Sequence, residues 1–187
     1  TPATLDAMLK VAKCGDTVTL VAGQTYPGSR GLTGKACAGN PITLDARGAV
    51  VGGLHYHTKV SGLRIIGGQW SAGLRFDDGA DIGVDAGLFD WPTTTAGLTL
   101  IRTKSITVTG STFRAAKAGI SGVDNDGLLI EGNHFDRLRA DGVVLGRPKN
   151  IIIRGNRCDA APVITGADHP DCFQMYGAQG WQISDVL

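Results

Sequence analysis

Between residues 117 and 176 the sequence gathers side chains able to move protons or hold anions: Lys117, Arg139, Asp141, His169, Asp171, Gln174 and Tyr176. The densest stretch is Ala167-Asp-His-Pro-Asp-Cys-Phe-Gln174. An imidazole titrates near neutrality, which suits His169 to general acid or base work. Asp141 and Asp171 occupy one position of a repeat described below, so their carboxylates are expected about 5 Å apart, the spacing of a retaining glycosidase pair. The same spacing also suits a shared cation or a purely structural ladder of carboxylates. Lys117 and Arg139 flank the pair. Cations there suit a carboxylated substrate, because neutralising a carboxylate acidifies the neighbouring C–H, and a lysine or histidine can then remove that proton. The bland alternatives are turn caps for Asp168, His169 and Asp171, and solvated surface cations for Lys117 and Arg139.

Upstream the signals are sparser. His55, His57 and Arg75 read as outward residues on the same face, and Trp91-Pro92 offers either an aromatic platform or a loop anchor. The run Asp77-Asp78-Gly-Ala-Asp81 with Asp85 supplies hard oxygen donors of the kind Ca²⁺ takes, but it matches no complete loop motif. Phosphate loops, GxSxG elbows, HExxH helices and dinucleotide fingerprints are absent from the sequence.

The elements that must position these residues follow from composition and period. The chain has 187 residues with Lys+Arg 18 against Asp+Glu 17, a balance that gives no case for binding nucleic acid by bulk charge. It also lacks an apolar run of membrane-span length, so membrane insertion is not expected. Glycine, at 28 residues, is about twice its usual share, which in a folded chain points to short strands and many tight turns. Four segments superimpose: Gly62-Leu-Arg-Ile-Ile-Gly-Gly-Gln-Trp70, Ser105-Ile-Thr-Val-Thr-Gly-Ser-Thr-Phe113, Gly127-Leu-Leu-Ile-Glu-Gly-Asn-His-Phe135 and Asn150-Ile-Ile-Ile-Arg-Gly-Asn-Arg-Cys158. The last three begin 22 and 23 residues apart, and the first lies 43 before the second, two turns of the same period.

A second series, running from Gly53-Leu-His-Tyr56 to Cys172-Phe-Gln-Met175, interleaves with the first. Alternation with two short strands per repeat fits a coil whose turns lie about 4.8 Å apart. The expected interior columns are Leu63/Ile106/Leu128/Ile151, Trp70/Phe113/Phe135/Cys158 and Leu74/Leu98/Ile120/Val143/Phe173, with Ser111, Asn133 and Asn156 stacked at a corner. The step into the last copy is 30 residues, an insertion of some seven that would form a loop over one face. Leu5, Met8, Leu9 and Ala12 keep helical spacing behind Thr4 as N-cap, which predicts a capping helix over the first turn. Cys14, Cys37, Cys158 and Cys172 split into two local pairs, read as disulfides and an oxidising compartment, the alternative being buried free thiols.

The helix, the strand Gly15-Asp-Thr-Val-Thr-Leu with Gly23-Gln-Thr-Tyr26, and the Ile-x-Ile-x-Gly-Asn-x-Phe coils together resemble the right-handed parallel β-helix proteins of the pectate-lyase-like superfamily. That resemblance implies an all-β fold, a right-handed parallel β-helix with an N-terminal capping α-helix. The cap and entry strand in 1–28 and the coils in 40–187 read as one domain over 1–187, and because Ser184-Asp-Val-Leu187 reads as the middle of a strand, further chain is expected after it. The superfamily holds lyases, hydrolases, epimerases, esterases and tailspikes, so the fold leaves the reaction open. The expectation drawn is a secreted or periplasmic enzyme acting on an acidic polysaccharide, foremost a lyase. In it His169 or Lys117 would be the base, Arg139 the carboxylate clamp, and Asp141 and Asp171 would bind sugar or a cation. Gln174, Tyr176, Arg75, His55 and Trp91 would contact the sugar chain. The alternatives are a glycoside hydrolase using Asp141 and Asp171, and a non-catalytic glycan-binding or tailspike-like adhesin.

Overall fold

A strand that alternates apolar and polar residues buries one row only when another strand lies beside it and another layer faces it. The computed structural model meets that need by coiling. It describes residues 4–28, 31–90, 95–159 and 171–184, with the backbone alone for 183 and 184. Three short strands per full turn stack into three parallel sheets of eight, seven and six strands, making a parallel β-solenoid.

The three expected columns are present and continue further than the repeat showed. Ile42, Leu63, Ile82, Ile106, Leu128 and Ile151 stand in register along the eight-stranded sheet. Trp70, Phe89, Phe113, Phe135 and Cys158 do so along the seven-stranded sheet. The turn missing between the copies at 62 and 105 is supplied by Ala80–Asp85 and Leu88–Asp90. Phe89, Phe113 and Phe135 are stacked with ring centroids 4.6 and 5.3 Å apart. Glycines at the start of the six-stranded sheet make room for these rings: a Cβ on Gly119 would stand 2.6 Å from Phe135 Cδ1 and from the Gly142 carbonyl oxygen.

Two corners fix the register. Before the seven-stranded sheet, Gly67, Ala86, Gly110, Gly132 and Gly155 all take positive φ, a conformation glycine adopts without a steric penalty. The next position carries a side-chain ladder. Asn156 Oδ1 accepts from the Asn133 N–H at 2.9 Å, Asn133 Oδ1 accepts from the Ser111 N–H at 2.9 Å, and Ser111 Oγ accepts from the Gly87 N–H at 3.1 Å. Before the eight-stranded sheet, Lys59, Asp78, Arg102, Asp124 and Arg147 take positive φ at equivalent places and alternate in sign. Asp78–Arg102 and Asp124–Arg147 pair at 2.7 Å. Exposed, solvent-screened pairs add little stability, so their main effect is to disfavour a slipped stacking of turns.

At the N-terminus the helix Leu5–Val11 buries Leu5 and Leu9, and the Thr4 hydroxyl accepts from the Ala7 N–H at 3.3 Å. Both disulfides are present. Cys14–Cys37 ties the end of the helix to the first turn, and Cys158–Cys172 closes the segment around the insertion, with Cα–Cα distances of 5.1 and 5.8 Å.

One expectation is corrected. His55 and His57 are not outward residues: His55 pairs with Leu74 and Tyr56 with Arg75, so both histidines lie inside at 0 % exposure. The strand after Gly53 starts one residue later than its later copies do, which leaves Leu54 51 % exposed. With a period of two, a one-residue slip exchanges the faces.

Candidate functional site

The corner where the seven-stranded sheet hands the chain to the six-stranded sheet carries the ionisable groups the sequence singled out. Its backbone is held turn upon turn: the Lys117 N–H donates to Thr95 O at 3.1 Å, and the Ala140 N–H donates to Lys117 O at 2.7 Å. The Arg139 N–H donates to Ala116 O at 3.1 Å. Lys117 and Arg139 therefore project from successive turns, and both are exposed.

Ala96 and Ala118 stand in register at the start of the six-stranded sheet, and Asp141 and Asp171 continue the same position. The two aspartates thus follow one another on successive turns. The Asp171 N–H donates to Asp141 Oδ1 at 3.3 Å, and the Gly142 N–H donates to Asp171 O at 2.9 Å. Asp141 is half-buried, and that desolvation pushes its carboxyl above the usual range. The Asp171 N–H bond opposes the shift, the Asp171 charge adds to it, and Lys117 pulls against it. One member of the pair thus keeps its proton to a higher pH than an ordinary aspartate, as a proton donor requires.

Gln174 ends an outward column of Tyr56, Arg75, Thr99, Ser121 and Val144 and is exposed. Tyr176 is exposed beside it, its ring lying where a Gly146 side chain would be. Arg75 is not brought to this group. Four turns from Gln174, at about 4.8 Å per turn, it grips Asp77 through Nε at 2.8 Å and Nη2 at 2.9 Å. The Tyr56 hydroxyl donates to the same carboxylate at 2.8 Å, and the guanidinium lies 5.2 Å from the Tyr56 ring centre. His55, being buried, is not part of the surface either. His169 and Trp91 lie outside the described residues.

The acidic run proposed for Ca²⁺ is spread around a corner. Asp77 faces Arg75, Asp78 pairs with Arg102, and Asp85 accepts from the Thr109 hydroxyl at 2.8 Å. Among the described residues the His/Asp group close enough to share an ion is a different one, His134, Asp136 and Asp159. It belongs to an outward network on the seven-stranded sheet. His134 Nε2 meets Asp159 Oδ2 at 2.8 Å, and Arg157 and Arg137 hold Asp159 and Asp136 at 2.9 and 2.8 Å. Arg114 spans Asp90 and Asp136 at 3.7 and 3.5 Å. Three guanidinium groups thus balance three carboxylates, so a cation would have to displace ion pairs already made.

Sequence reasoning missed this network. Its signal was the residue immediately after each large apolar position, Asp90, Arg114, Asp136 and Asp159, one place beyond the repeat as aligned.

No family model and no curated protein matches the chain. Among solved structures it is similar to PfbA, a surface adhesin of Streptococcus pneumoniae, at 11% identity and a TM-score of 0.61 over 97% of this chain and 66% of that one. It thus spans just under two thirds of the adhesin's length. An alginate lyase from Paenibacillus sp. str. FPU-7 aligns over 97% of this chain and 95% of that one at 14% identity, with a TM-score of 0.32, too loose a superposition to carry an argument. What the chain shares with the adhesin is the parallel β-helix fold.

Proposed function

We propose that the chain acts on an acidic polysaccharide at the corner carrying Lys117, Arg139, Asp141 and Asp171, cleaving a uronate linkage by β-elimination. One observation supports the reading above the others. Arg47, Arg75, Arg102, Arg114, Arg137, Arg147, Arg154 and Arg157 are all paired with carboxylates. Lys117 and Arg139, like Arg64 elsewhere on the coil, stand exposed with no side-chain hydrogen bond or ion pair among the described residues, and they share successive turns with a carboxyl whose pKa is raised by burial. Unspent positive charge next to a proton donor is what an anionic sugar chain needs.

In this scheme Arg139 takes the uronate carboxylate and so acidifies the C5 proton. The Lys117 amine, or His169, removes that proton. The electron pair left behind forms the C4–C5 double bond, the C4–O bond to the neighbouring sugar breaks, and Asp141 supplies the proton its oxygen takes up. Asp171 and Gln174 hold sugar hydroxyls. We take the coil as right-handed, the hand of parallel crossovers generally. The two disulfides suit secretion or a periplasmic location.

The Asp141–Asp171 pair also favours a second reading, a retaining glycoside hydrolase with Asp141 as the acid. A panel of alginate, polygalacturonate, glycosaminoglycans and neutral glucans, followed for both ultraviolet-absorbing unsaturated ends and new reducing ends, separates the readings. The lyase reading expects both signals on a uronate polymer, and expects Arg139→Gln and Asp141→Asn to lose about 10²–10⁴ in rate. Reducing ends without absorbance would make it a hydrolase. Binding without either signal would make it a glycan-binding protein and overturn both.

A further inference from the structure

We infer that the buried pair His55–His57 is an acid-sensitive latch, which holds the N-terminal helix on the first turn while both imidazoles are neutral and releases it when they take up protons. The inference is independent of the corner described above.

The geometry assigns the protons. His57 Nδ1 lies 3.1 Å from the Leu32 N–H and must accept from it, so His57 carries its hydrogen on Nε2. That Nε2 is 3.0 Å from His55 Nδ1, which must therefore be the acceptor, leaving the His55 hydrogen on Nε2. His55 Nε2 points toward the helix, 3.9 Å from Asp6 Oδ1. The neutral pair thus forms one directed chain, from the backbone at Leu32 through two imidazoles to a carboxylate on the helix. A proton added to His57 Nδ1 would face the Leu32 N–H, and one added to His55 Nδ1 would face the His57 N–H. Either replaces an acceptor with a donor at a site with no access to water, both residues being 0 % exposed.

Among the described residues, aromatic rings pack against both imidazoles. His57 stacks on Phe76 at 4.9 Å, and His55 meets the edge of Trp70 at 6.0 Å. From the helix the charged groups are Asp6 and Lys10, and from residues 31–35 there is Lys35, whose ammonium bonds the Ala12 carbonyl at the end of the helix. On the neighbouring strand Arg75 and Asp77 are turned outward onto each other. Burial accordingly lowers the His55 pKa to about 4 against a smaller opposing pull from Asp6, and holds that of His57 well below the ordinary value, with the His55 charge adding to the effect.

The sign follows from these directions. Above the unfolded histidine pKa of about 6.5, neither state binds a proton and the latch is unaffected. As pH falls below it, the opened state takes up protons that the closed state refuses, so opening is favoured by up to about tenfold per pH unit for each imidazole. For His55 the effect levels off near its closed-state value of about 4. The released helix would uncover Leu5 and Leu9 and the parallel bridges Thr33↔Thr58 and Ala36↔Ser61, a strand edge open to pairing with another chain.

Amide hydrogen exchange of the intact protein, corrected for intrinsic rates, tests this between pH 7 and about 3. The expected result is that amides of residues 5–11 and 31–34 lose protection steeply in this window, while those of 106–108 and 128–130 keep theirs. In His55→Leu/His57→Gln, where the glutamine oxygen can still accept from Leu32, the helix should exchange with no such pH dependence. Asp6→Asn, which leaves both imidazoles in place, should carry the loss on below the pH where the parent levels off. Equal loss throughout the solenoid, a flat profile at the helix, or an unchanged profile in either variant would overturn the latch.

Discussion

Asn133 offers the sharpest test of what holds successive turns in register. Its side chain is 1 % exposed and makes three bonds besides its backbone ones. Oδ1 accepts from the Ser111 N–H at 2.9 Å, and Nδ2 donates to Val108 O at 2.9 Å and to Asn156 Oδ1 at 3.0 Å. Asn133→Ala leaves the Ser111 N–H without its partner and the Val108 carbonyl short of one, at about 1–3 kcal/mol for each buried unsatisfied group. Asn156 Oδ1 still accepts from the residue-133 N–H, so it adds little. The expected loss is therefore about 2–6 kcal/mol. Ser111→Ala orphans only the Gly87 N–H and should cost about 1–3 kcal/mol.

Asn133→Asp sharpens the test. The carboxylate keeps the acceptor for Ser111 but turns a second oxygen toward Val108 O and Asn156 Oδ1. Burial and those neighbours raise the folded pKa of the new acid, so its penalty is small at low pH and grows as pH rises through that value. Urea unfolding near neutrality and near about pH 4, followed by fluorescence and circular dichroism, gives the numbers. The two probes must coincide, because solenoids do not always unfold in one step. A cost for Asn133→Ala below about 0.5 kcal/mol, within the range of ordinary surface substitutions, would refute the ladder argument. So would a pH-independent Asn133→Asp.

The other predictions rest on separate features. Phe113→Ala, in the middle of the aromatic stack, should cost about 3–5 kcal/mol, and Gly119→Ala should also destabilise because its Cβ meets the Phe135 ring; unfolding midpoints near the parent's would count against both. Asp141→Asn should lose activity yet match or exceed the parent's stability at neutral pH, since a carboxyl whose folded pKa is raised destabilises once ionised; a matched pair of rate and melting measurements checks this. Labelling of the unfolded, unreduced protein should find no free thiol among Cys14, Cys37, Cys158 and Cys172, and any labelled cysteine would remove a bridge. His169→Ala should abolish most turnover with folding unchanged, and a fully active variant would take His169 out of the mechanism.

Much of the fold was legible because a solenoid repeats its physics. Ile106, Leu128 and Ile151 recur at the period of one turn, and so do Ser111, Asn133 and Asn156, since each must meet its equivalent in the neighbouring turn. Legibility failed where the repeat is weak. The strand His55–Thr58 has four residues, none aliphatic, so nothing in its pattern separates inward His55 and His57 from outward Tyr56. Ala86 takes the positive-φ corner that glycine holds in the other copies, which hid the turn containing Ile82 and Phe89. The corner aspartates were found because they interrupt a run of alanines at Ala96 and Ala118. The network around His134 was not, because Asp90, Arg114, Asp136 and Asp159 fall one place beyond the aligned segments and differ in sign from turn to turn.

The same contrast separates scaffold from candidate site. Along the corner of Asp78, Arg102, Asp124 and Arg147, and along Asp90, Arg114 and Asp136, each turn sets a charge against its opposite on the next. Such columns cancel and lock the stacking. Asp141 and Asp171 break the rule by setting acid upon acid on consecutive turns, and burial, with the Asp171 charge adding to it, raises the Asp141 pKa. Lys117 and Arg139 break it by having no hydrogen-bonded or ion-pair partner among the described residues. Among the described residues this corner sets two exposed cations without a hydrogen-bonded partner beside two carboxyls on adjoining turns. That is where an added anionic ligand has the most electrostatic free energy to gain.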